Sequence, residues 1–247
     1  MELVITTKCT LNCKNCANLM PMYKKPYNVD KDIIIKSIKK IAACVDEVYI
    51  FRILGGEPFC NPELKNYLRE MPENKFREIV IVTNGTLVPK DPELINIIRE
   101  KNITVEISDY GKISYKKDEL IEMLKKEKIN YKINSAYRVW YDYGSLENKN
   151  KSKKSLKRQF SKCDIYCKSI LNGALYYCPR HSHGIDLGKI KKNDDEYVDL
   201  LNNSDKENRK KIKELMLRNK YIEACNYCNY ATRECKSIPA GEQNSKK

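Results

Sequence analysis

Thr7–Pro21 reads TKCTLNCKNCANLMP and places three cysteines, Cys9, Cys13 and Cys16, in the pattern C-x3-C-x2-C. The stretch follows an apolar run, LVITT at Leu3–Thr7, which has the composition of a buried strand. Thiolates hold iron–sulfur clusters, and a [4Fe–4S] cluster normally takes four of them. Three thiolates in one loop therefore predict a cluster with one iron left open to another ligand.

Two other interpretations of these cysteines stay open. A structural zinc site uses four ligands, commonly in C-x2-C pairs, whereas this loop offers three thiols and no nearby histidine. The thiols could also be buried structural residues, although the loop around them is rich in Asn and Lys.

The composition favours a cytoplasmic protein with a negatively charged partner. The chain has 247 residues and a net charge of 47 − 33 = +14, which suits phosphate-bearing molecules. Its N-terminus has no signal-peptide pattern, and no apolar run approaches the ~18 residues of a membrane span. Eleven cysteines in a reducing compartment indicate metal or redox chemistry rather than disulfides.

Strand-like apolar runs alternate with amphipathic helical patterns over the first 140 residues. Asp30, Asn61-Pro62 and Asp91-Pro92 mark helix starts, because a capping Asn or Asp and an early Pro suit the first turn. The alternation predicts an α/β fold with a parallel sheet, either open or closed into a partial barrel. The predicted strands are Leu3–Thr7, Val48–Ile53, Ile79–Val82, Ile103–Ile107 and Ile129–Ile133.

The pattern changes after the fifth strand, and we expect three segments. These are a core at 1–140, a basic linker at 141–162 and a small cysteine-rich domain at 163–247. The densest basic run, Lys149–Gln159, has no aromatic and no acidic residue. It is therefore expected to be a solvated linker, and nucleic acid is an unlikely partner. One helix, about Ser204–Asn219, is predicted in the last segment.

Polar motifs follow the predicted strands at their carboxyl ends. Gly55-Gly56-Glu57-Pro58 ends the second strand, Thr83-Asn84-Gly85 the third, and Ser108-Asp109 the fourth. Because parallel strands bring their carboxyl ends to one edge, these residues and the cysteine loop should meet in one site.

Together these motifs resemble the radical S-adenosylmethionine (radical SAM) enzymes. The resemblance implies a partial (β/α)6 barrel whose [4Fe–4S] cluster, held by Cys9, Cys13 and Cys16, binds S-adenosylmethionine at its open iron. One electron then cleaves that molecule to a 5′-deoxyadenosyl radical, which abstracts hydrogen from the substrate. It also implies that Gly55, Gly56 and Glu57 contact the methionine amino group and that Thr83 and Asn84 contact the ribose. Ser108 and Asp109 end the fourth strand at the same rim and are further predicted cofactor contacts. Asn15 departs from the aromatic residue that the family often has there.

A second set of cysteines lies near the end of the chain. Cys163-x9-Gly173-x4-Cys178 and Cys225-x2-Cys228 resemble the twitch domain, the shortened relative of the SPASM extension of some radical SAM enzymes. The resemblance implies one auxiliary [4Fe–4S] cluster on Cys163, Cys178, Cys225 and Cys228, with Cys167 or Cys235 as possible replacements. A zinc ribbon is the alternative, although ribbons favour C-x2-C on both sides.

Arg180, His181 and His183 follow Cys178 directly and are the predicted catalytic residues. Arginine binds phosphate or carboxylate, and histidine moves protons near neutral pH. A polar loop that braces the cluster is the competing interpretation.

The predicted function is radical oxidation of a small anionic substrate, for example a phosphorylated or nucleotide-linked sugar. The electron donor would be a flavodoxin or ferredoxin. One alternative is epimerisation or cross-linking of a ribosomally made peptide, and another is a zinc-containing nucleic-acid-binding protein.

Overall fold

A computed structural model describes residues 1–72, 74–135 and 139–245. In the first half of the chain, strands and helices alternate as predicted. The strands are β1 (Glu2–Thr6), β2 (Val48–Gly55), β3 (Phe76–Thr83), β4 (Thr104–Ser108), β5 (Tyr131–Asn134), β6 (Val139–Tyr141), β7 (Ser169–Leu171), β8 (Ala174–Tyr176), β9 (Tyr197–Asp199) and β10 (Ser237–Pro239). The helices are α1 (Lys31–Cys44), α2 (Leu64–Arg69), α3 (Pro92–Glu100), α4 (Lys117–Lys126), α5 (Lys153–Ser161), α6 (Pro179–Asp186) and α7 (Asp205–Met216).

Eight of these strands form one sheet in the order β5-β4-β3-β2-β1-β7-β8-β9. The neighbouring pairs from β5 to β7 are parallel, whereas the pairs β7–β8 and β8–β9 are antiparallel. Its main core contains residues of β1–β4, such as Ile5, Phe51 and Val105, and of the helices, such as Ile38 and Leu124. The predicted α/β class with a parallel sheet is thus confirmed. None of the described helices is both long and apolar enough to traverse a lipid bilayer.

The order of strands along the chain differs from the six successive βα units of a (β/α)6 arrangement. Within the described residues, four βα units and β5 are followed by β6, which leaves the main sheet and pairs antiparallel with β10. The sixth parallel strand is β7, and it lies against β1 rather than β5. The apolar periodicity that marks a further βα unit is missing after β5, so that edge ends there.

The helix starts follow the predicted capping chemistry. Asp30 accepts hydrogen bonds from the backbone of Asp32 and Ile33, and Asp91 accepts one from Glu93. Ser204 caps α7 in the same way. Near Asn61-Pro62 the helix begins later, at Leu64, after a turn in which the Asn61 side chain accepts from Glu63 N.

Two helices lie where loops were expected. Helix α5 falls inside the predicted linker, 141–162, and buries Leu156 and Gln159. Helix α6 falls in the CPRHSHG segment, where histidine, serine and glycine are weak helix formers, but Pro179 occupies the first turn and fixes its φ. The expected solvated linker is therefore wrong for α5, and the division into segments at 140 and 162 stays a prediction.

The hairpin β7–β8 explains the glycine of the C-x9-G-x4-C pattern. Asn172 and Gly173 join the strands and both have positive φ, 48° and 79°. This is the geometry of a type I′ turn, which favours Asn-Gly. The turn attaches Cys178 and the start of α6 to the main sheet.

The ends of β1 and β2 approach each other so closely that only glycine fits. A Cβ at Gly55 would lie 2.2 Å from the carbonyl oxygen of Thr6, and one at Gly56 would lie 2.3 Å from that of Lys8. The amides of Gly56 and Glu57 donate to these same two carbonyl oxygens, at 3.0 and 2.9 Å. The Cys9 loop is therefore fixed against the end of β2.

Gly56→Ala is expected to lower the free energy of unfolding by about 3 kcal/mol, because the added carbon collides with backbone that no rotamer change relieves. Gly111→Ala is the control, since its Cβ meets nothing within 4 Å and its positive φ costs only about 1 kcal/mol. Urea unfolding of both variants measures the difference, and equal losses would contradict this account of the Gly56 contact.

Candidate functional site

A cavity of about 360 Å³ is lined by thiols from both ends of the chain. All seven cysteines predicted as metal ligands line it, and so does Cys167. Cys44, Cys60 and Cys235 do not. Among the described residues no three His, Cys, Asp or Glu side chains converge closely enough to hold a single ion. The cavity-lining cysteines are Cys9, Cys13, Cys16, Cys163, Cys167, Cys178, Cys225 and Cys228.

Nitrogen donors surround the sulfur atoms of the first three cysteines. Cys9 Sγ accepts from Leu11 N at 3.4 Å and from Asn84 Nδ2 at 3.6 Å. Cys13 Sγ accepts from Gln243 Nε2 at 3.1 Å, and backbone amides also donate to Cys16. Burial raises the pKa of Cys9 to about 12 and that of Cys13 to about 11. Thiolates there need bound metal, and N–H donors to sulfur suit an iron–sulfur cluster.

The rim residues divide into those that face the cavity and those that hold the rim together. Gly55, Gly56, Thr83, Asn84 and Ser108 line the cavity, as the sequence predicts for a shared site. They come from the carboxyl ends of neighbouring parallel strands, which the register aligns at one edge.

Glu57 and Asp109 lie behind that rim. The Glu57 carboxylate accepts from Thr83 Oγ1 at 2.9 and 3.0 Å and from Asn84 N at 2.9 Å, and it is fully buried. Burial raises its pKa to about 7. Asp109 accepts from Lys117 Nζ at 3.1 Å and from Gly111 N at 2.9 Å. Both carboxylates orient cavity-lining loops, and their predicted cofactor contacts stay predictions.

Four of the C-terminal thiols form one electrostatic group. The pKa of Cys178 is raised first by burial and then by Cys225, Cys228 and Cys163. For Cys167 the corresponding neighbour is Glu2, which raises its pKa after burial does. Cys167 nevertheless shares Lys168 and Tyr143 as neighbours with other thiols of this group, so the ligand set of the auxiliary cluster stays a prediction.

Two buried cations, Lys168 and Arg180, and the half-buried Lys151 accompany this group without carboxylate partners among the described residues. Lys168 is 5% exposed, and its ammonium lies 3.8 Å from the centre of the Tyr177 ring. Lys151 Nζ donates to the carbonyl oxygens of Cys225, at 3.2 Å, and of Cys228. Arg180 is 6% exposed. Buried charges need compensation, and an anionic cluster held by four thiolates would supply it.

The predicted catalytic residues occupy structural positions. Arg180 lines the cavity, but its guanidinium donates to the carbonyl oxygens of Tyr227, Gly144 and Ser145 at 2.6–3.0 Å. His181 and His183 are fully buried and do not line the cavity. Burial lowers the pKa of both imidazoles to about 3. Neutral, enclosed histidines do not fit the predicted proton transfer at a substrate.

Aromatic side chains form much of the remaining wall. Trp140 packs edge-on against Tyr110 with ring centres 5.4 Å apart, and Tyr143 lies 5.4 Å from Tyr230. Glu2 is the carboxylic acid that lines the cavity, and burial raises its pKa. The cavity thus combines apolar ring faces with few charged groups. Its aromatic residues are Tyr110, Trp140, Tyr143, Phe160, Tyr177 and Tyr230.

The C-terminal tail is a part of the site that the sequence did not indicate. Lys14 N donates to Glu242 O at 2.6 Å, and Asn244 N donates to Asn12 O at 2.8 Å. The side chain of Gln243 bridges the same loop, because its Oε1 accepts from Asn12 N at 2.8 Å and its Nε2 donates to Cys13 Sγ. This pairing joins residues 230 positions apart in the sequence, so no local pattern reveals it.

Gln243→Glu is expected to lower the reduction potential of the cluster predicted at Cys9, Cys13 and Cys16. The variant keeps an oxygen for Asn12 N but replaces the N–H donor to sulfur with a negative charge. Asn244→Asp is the control, since it adds the same charge on a residue that contacts Asn12 and not sulfur. Redox titration followed by electron paramagnetic resonance measures both, and a shift no larger than the control's would refute the Gln243 contact.

Comparison with known proteins places the first thiol set in a family. The sequence model of the Radical SAM superfamily matches residues 3–108. The chain is 25% identical over 116 residues to a probable GTP 3′,8-cyclase of Methanococcus maripaludis (strain C6). This match spans 47% of the chain and 38% of that protein, so the chain covers well under half of its relative's length.

Two solved structures share the fold over nearly the whole chain. One is anSMEcpe with bound AdoMet and Kp18Cys peptide, with a TM-score of 0.54, 16% identity and coverage of 99% of this chain and 92% of that one. The other is BtrN in complex with AdoMet and 2-DOIA, with a TM-score of 0.53, 18% identity and coverage of 94% of each chain. The family model thus covers the segment that contains the cysteine loop, and the two solved structures, both with bound AdoMet, show that the chain shares their fold.

Proposed function

We propose that the chain is a radical SAM enzyme that oxidises a small polar substrate held between two iron–sulfur clusters. The observation that carries this proposal is the shared cavity, which brings the N-terminal and C-terminal thiols to one enclosed space. In this proposal Cys9, Cys13 and Cys16 hold the cluster that binds S-adenosylmethionine, and Cys163, Cys178, Cys225 and Cys228 hold an auxiliary one.

The bound cofactors would supply one-electron cleavage of S-adenosylmethionine to methionine and 5′-deoxyadenosine, the latter formed by taking a hydrogen atom from a substrate C–H bond. The side chains of Thr83, Asn84 and Ser108, with the backbone of Gly55 and Gly56, would bind and orient the S-adenosylmethionine. The aromatic wall would exclude water from the reacting atoms.

Oxidation of an alcohol to a carbonyl then requires the substrate to lose one more electron and one proton. The C-terminal thiol set would hold the acceptor of that electron, and the neighbouring cations Lys151, Lys168 and Arg180 would favour its reduced form by compensating the added charge. Glu2, the acid in the cavity wall, would take the proton. A raised pKa suits a carboxylate to this role.

The cavity supports a neutral or amine-bearing substrate better than a strong anion. Net charge led to the expectation of an anionic substrate, yet Arg180 is engaged by three carbonyl oxygens and Glu2 is acidic. Aromatic faces with hydroxyl and carboxyl groups suit a sugar or an aminosugar. Most of the Lys and Arg side chains that give the chain its positive charge lie outside the cavity lining, which is consistent with a substrate that is not anionic.

A ribosomally made peptide remains the second candidate. The two solved structures that share the fold contain different ligands, since anSMEcpe holds a Kp18Cys peptide and BtrN holds 2-DOIA. The enclosing aromatic wall of the cavity supports a compact substrate over an extended peptide.

Removal of any one thiol of the first set should abolish the activity. We expect Cys9→Ala, Cys13→Ala and Cys16→Ala to reduce 5′-deoxyadenosine formation at least 100-fold, because two thiolates do not hold the cluster in the required geometry. The assay uses anaerobically reconstituted, dithionite-reduced protein and chromatography of the products.

Cys44→Ala is the matched control, since Cys44 is a buried thiol of α1 outside the cavity. It should form 5′-deoxyadenosine at the rate of the unmodified protein. Product formation that persists in the three loop variants would defeat the proposal.

A further inference from the structure

We propose that the exposed face of α5 is the docking surface for an acidic one-electron carrier protein, which exchanges electrons with the auxiliary cluster. This inference rests on the proposed function, because it requires a cluster on the C-terminal thiols. The Lys and Arg side chains around α5 do not line the cavity, and their positive charge is here assigned to partner binding.

Residues 149–162 carry an uninterrupted positive charge. They contain seven Lys or Arg side chains and no Asp or Glu. On α5 itself Lys153, Lys154, Lys157 and Arg158 are all exposed. A surface of one sign attracts an oppositely charged partner and speeds its association.

Among the residues that the structure describes, the cations of α5 have no acidic partner, whereas several lysines of α1 and α7 do. Lys39 and Lys40 of α1 pair with Glu70 and Asp205, and Lys211 of α7 pairs with Glu207. Within the described part of the chain, no ion pair involves the lysines or the arginine of α5. Their charge is therefore not neutralised inside the molecule, and it is available to an external anionic surface.

The opposite face of α5 contacts the C-terminal thiol loop directly. Gln159 Nε2 donates to the carbonyl oxygens of Cys228, at 2.9 Å, and of Tyr230, at 3.0 Å. Phe160 lines the cavity and packs against Tyr177 with ring centres 5.3 Å apart. A carrier on the exposed face would thus lie about one helix diameter, ~10 Å, from the thiols.

This position favours a redox protein over a nucleic acid. The exposed residues of the patch include no aromatic side chain, and Phe160 faces the cavity. Base-stacking surfaces for single strands depend on such side chains. A docking site over a redox centre serves electron exchange, and weak, charge-steered contacts are usual for redox partners.

The test reverses three charges on α5 and compares them with three on α7. Lys153, Lys154 and Lys157 become Glu in one variant, and Lys206, Lys210 and Lys213, which are also exposed, become Glu in the other. Each variant lowers the net charge by six, from +14 to 14 − 6 = +8. Acidic residues at the start of α5 suit its helix dipole, so the fold should persist.

Stopped-flow mixing of the reconstituted proteins with reduced, negatively charged flavodoxin measures the rate of cluster reduction. At low ionic strength we expect the α5 variant to react about tenfold more slowly than the unmodified protein. The rate of cluster reduction in the α7 variant should fall less than twofold. Dithionite should reduce all three proteins equally fast, which separates docking from damage to the cluster.

The proposed docking surface would be refuted if the rate of reduction by flavodoxin fell equally in the two variants, or if it did not fall in the α5 variant. It would also be refuted if the unmodified protein bound RNA, the α5 variant did not, and flavodoxin reduced both at the same rate. The exposed face of α5 would then be a nucleic-acid-binding surface. Failure of the proposed function would be recognised separately, by the absence of a second cluster that dithionite reduces.

Discussion

The close contact between the ends of β1 and β2 is the constraint on which the site depends. Gly55 and Gly56 leave no room for a side chain, and their backbone is hydrogen-bonded to the segment that leads into Cys9. Glu57, the next residue, then reaches across to Thr83 and Asn84 of the following strand. Hydrogen bonds therefore link the loop after β1 to the loop after β2, and the loop after β2 to the loop after β3. The orientation of Cys9 is thus coupled to that of the cavity-lining Asn84.

Segments from the second part of the chain contribute to the same cavity. Strand β7 joins the main sheet beside β1, and the hairpin that follows carries Cys178 to the cavity. Residues 151 and 159, from the predicted linker, hold the carbonyl groups of the Cys225–Cys228 loop. The tail returns to the first loop through Gln243. Each thiol set is thus braced by chain segments far away in sequence.

Sequence patterns were sufficient where the chemistry is local. Capping by Asp30 and Asp91 located two helices, and continuous apolar runs located β1–β5 within one to three residues. The spacing of Cys9, Cys13 and Cys16 after a strand was specific enough to indicate the family. These signals depend on neighbours a few residues apart, which is the range over which propensity and periodicity act.

Long-range contacts account for what the sequence could not indicate. Arg180 looked like an anion ligand, but three carbonyl groups from distant loops occupy it. The histidines looked like proton carriers, but packing encloses them. Helix α5 was not apparent in a charged run, because it depends on the burial of Leu156 and on the hydrogen bonds of Gln159 to the thiol loop. In each case tertiary packing determined the role of the residue.

The central claim is that one cavity holds two iron–sulfur clusters, and metal and sulfide analysis of the anaerobically reconstituted protein tests it most directly. The account predicts about eight irons and eight sulfides per chain, and about four of each when Cys225 and Cys228 are both replaced by alanine. An iron content that the double replacement leaves unchanged, or zinc in place of iron and sulfide, would contradict it.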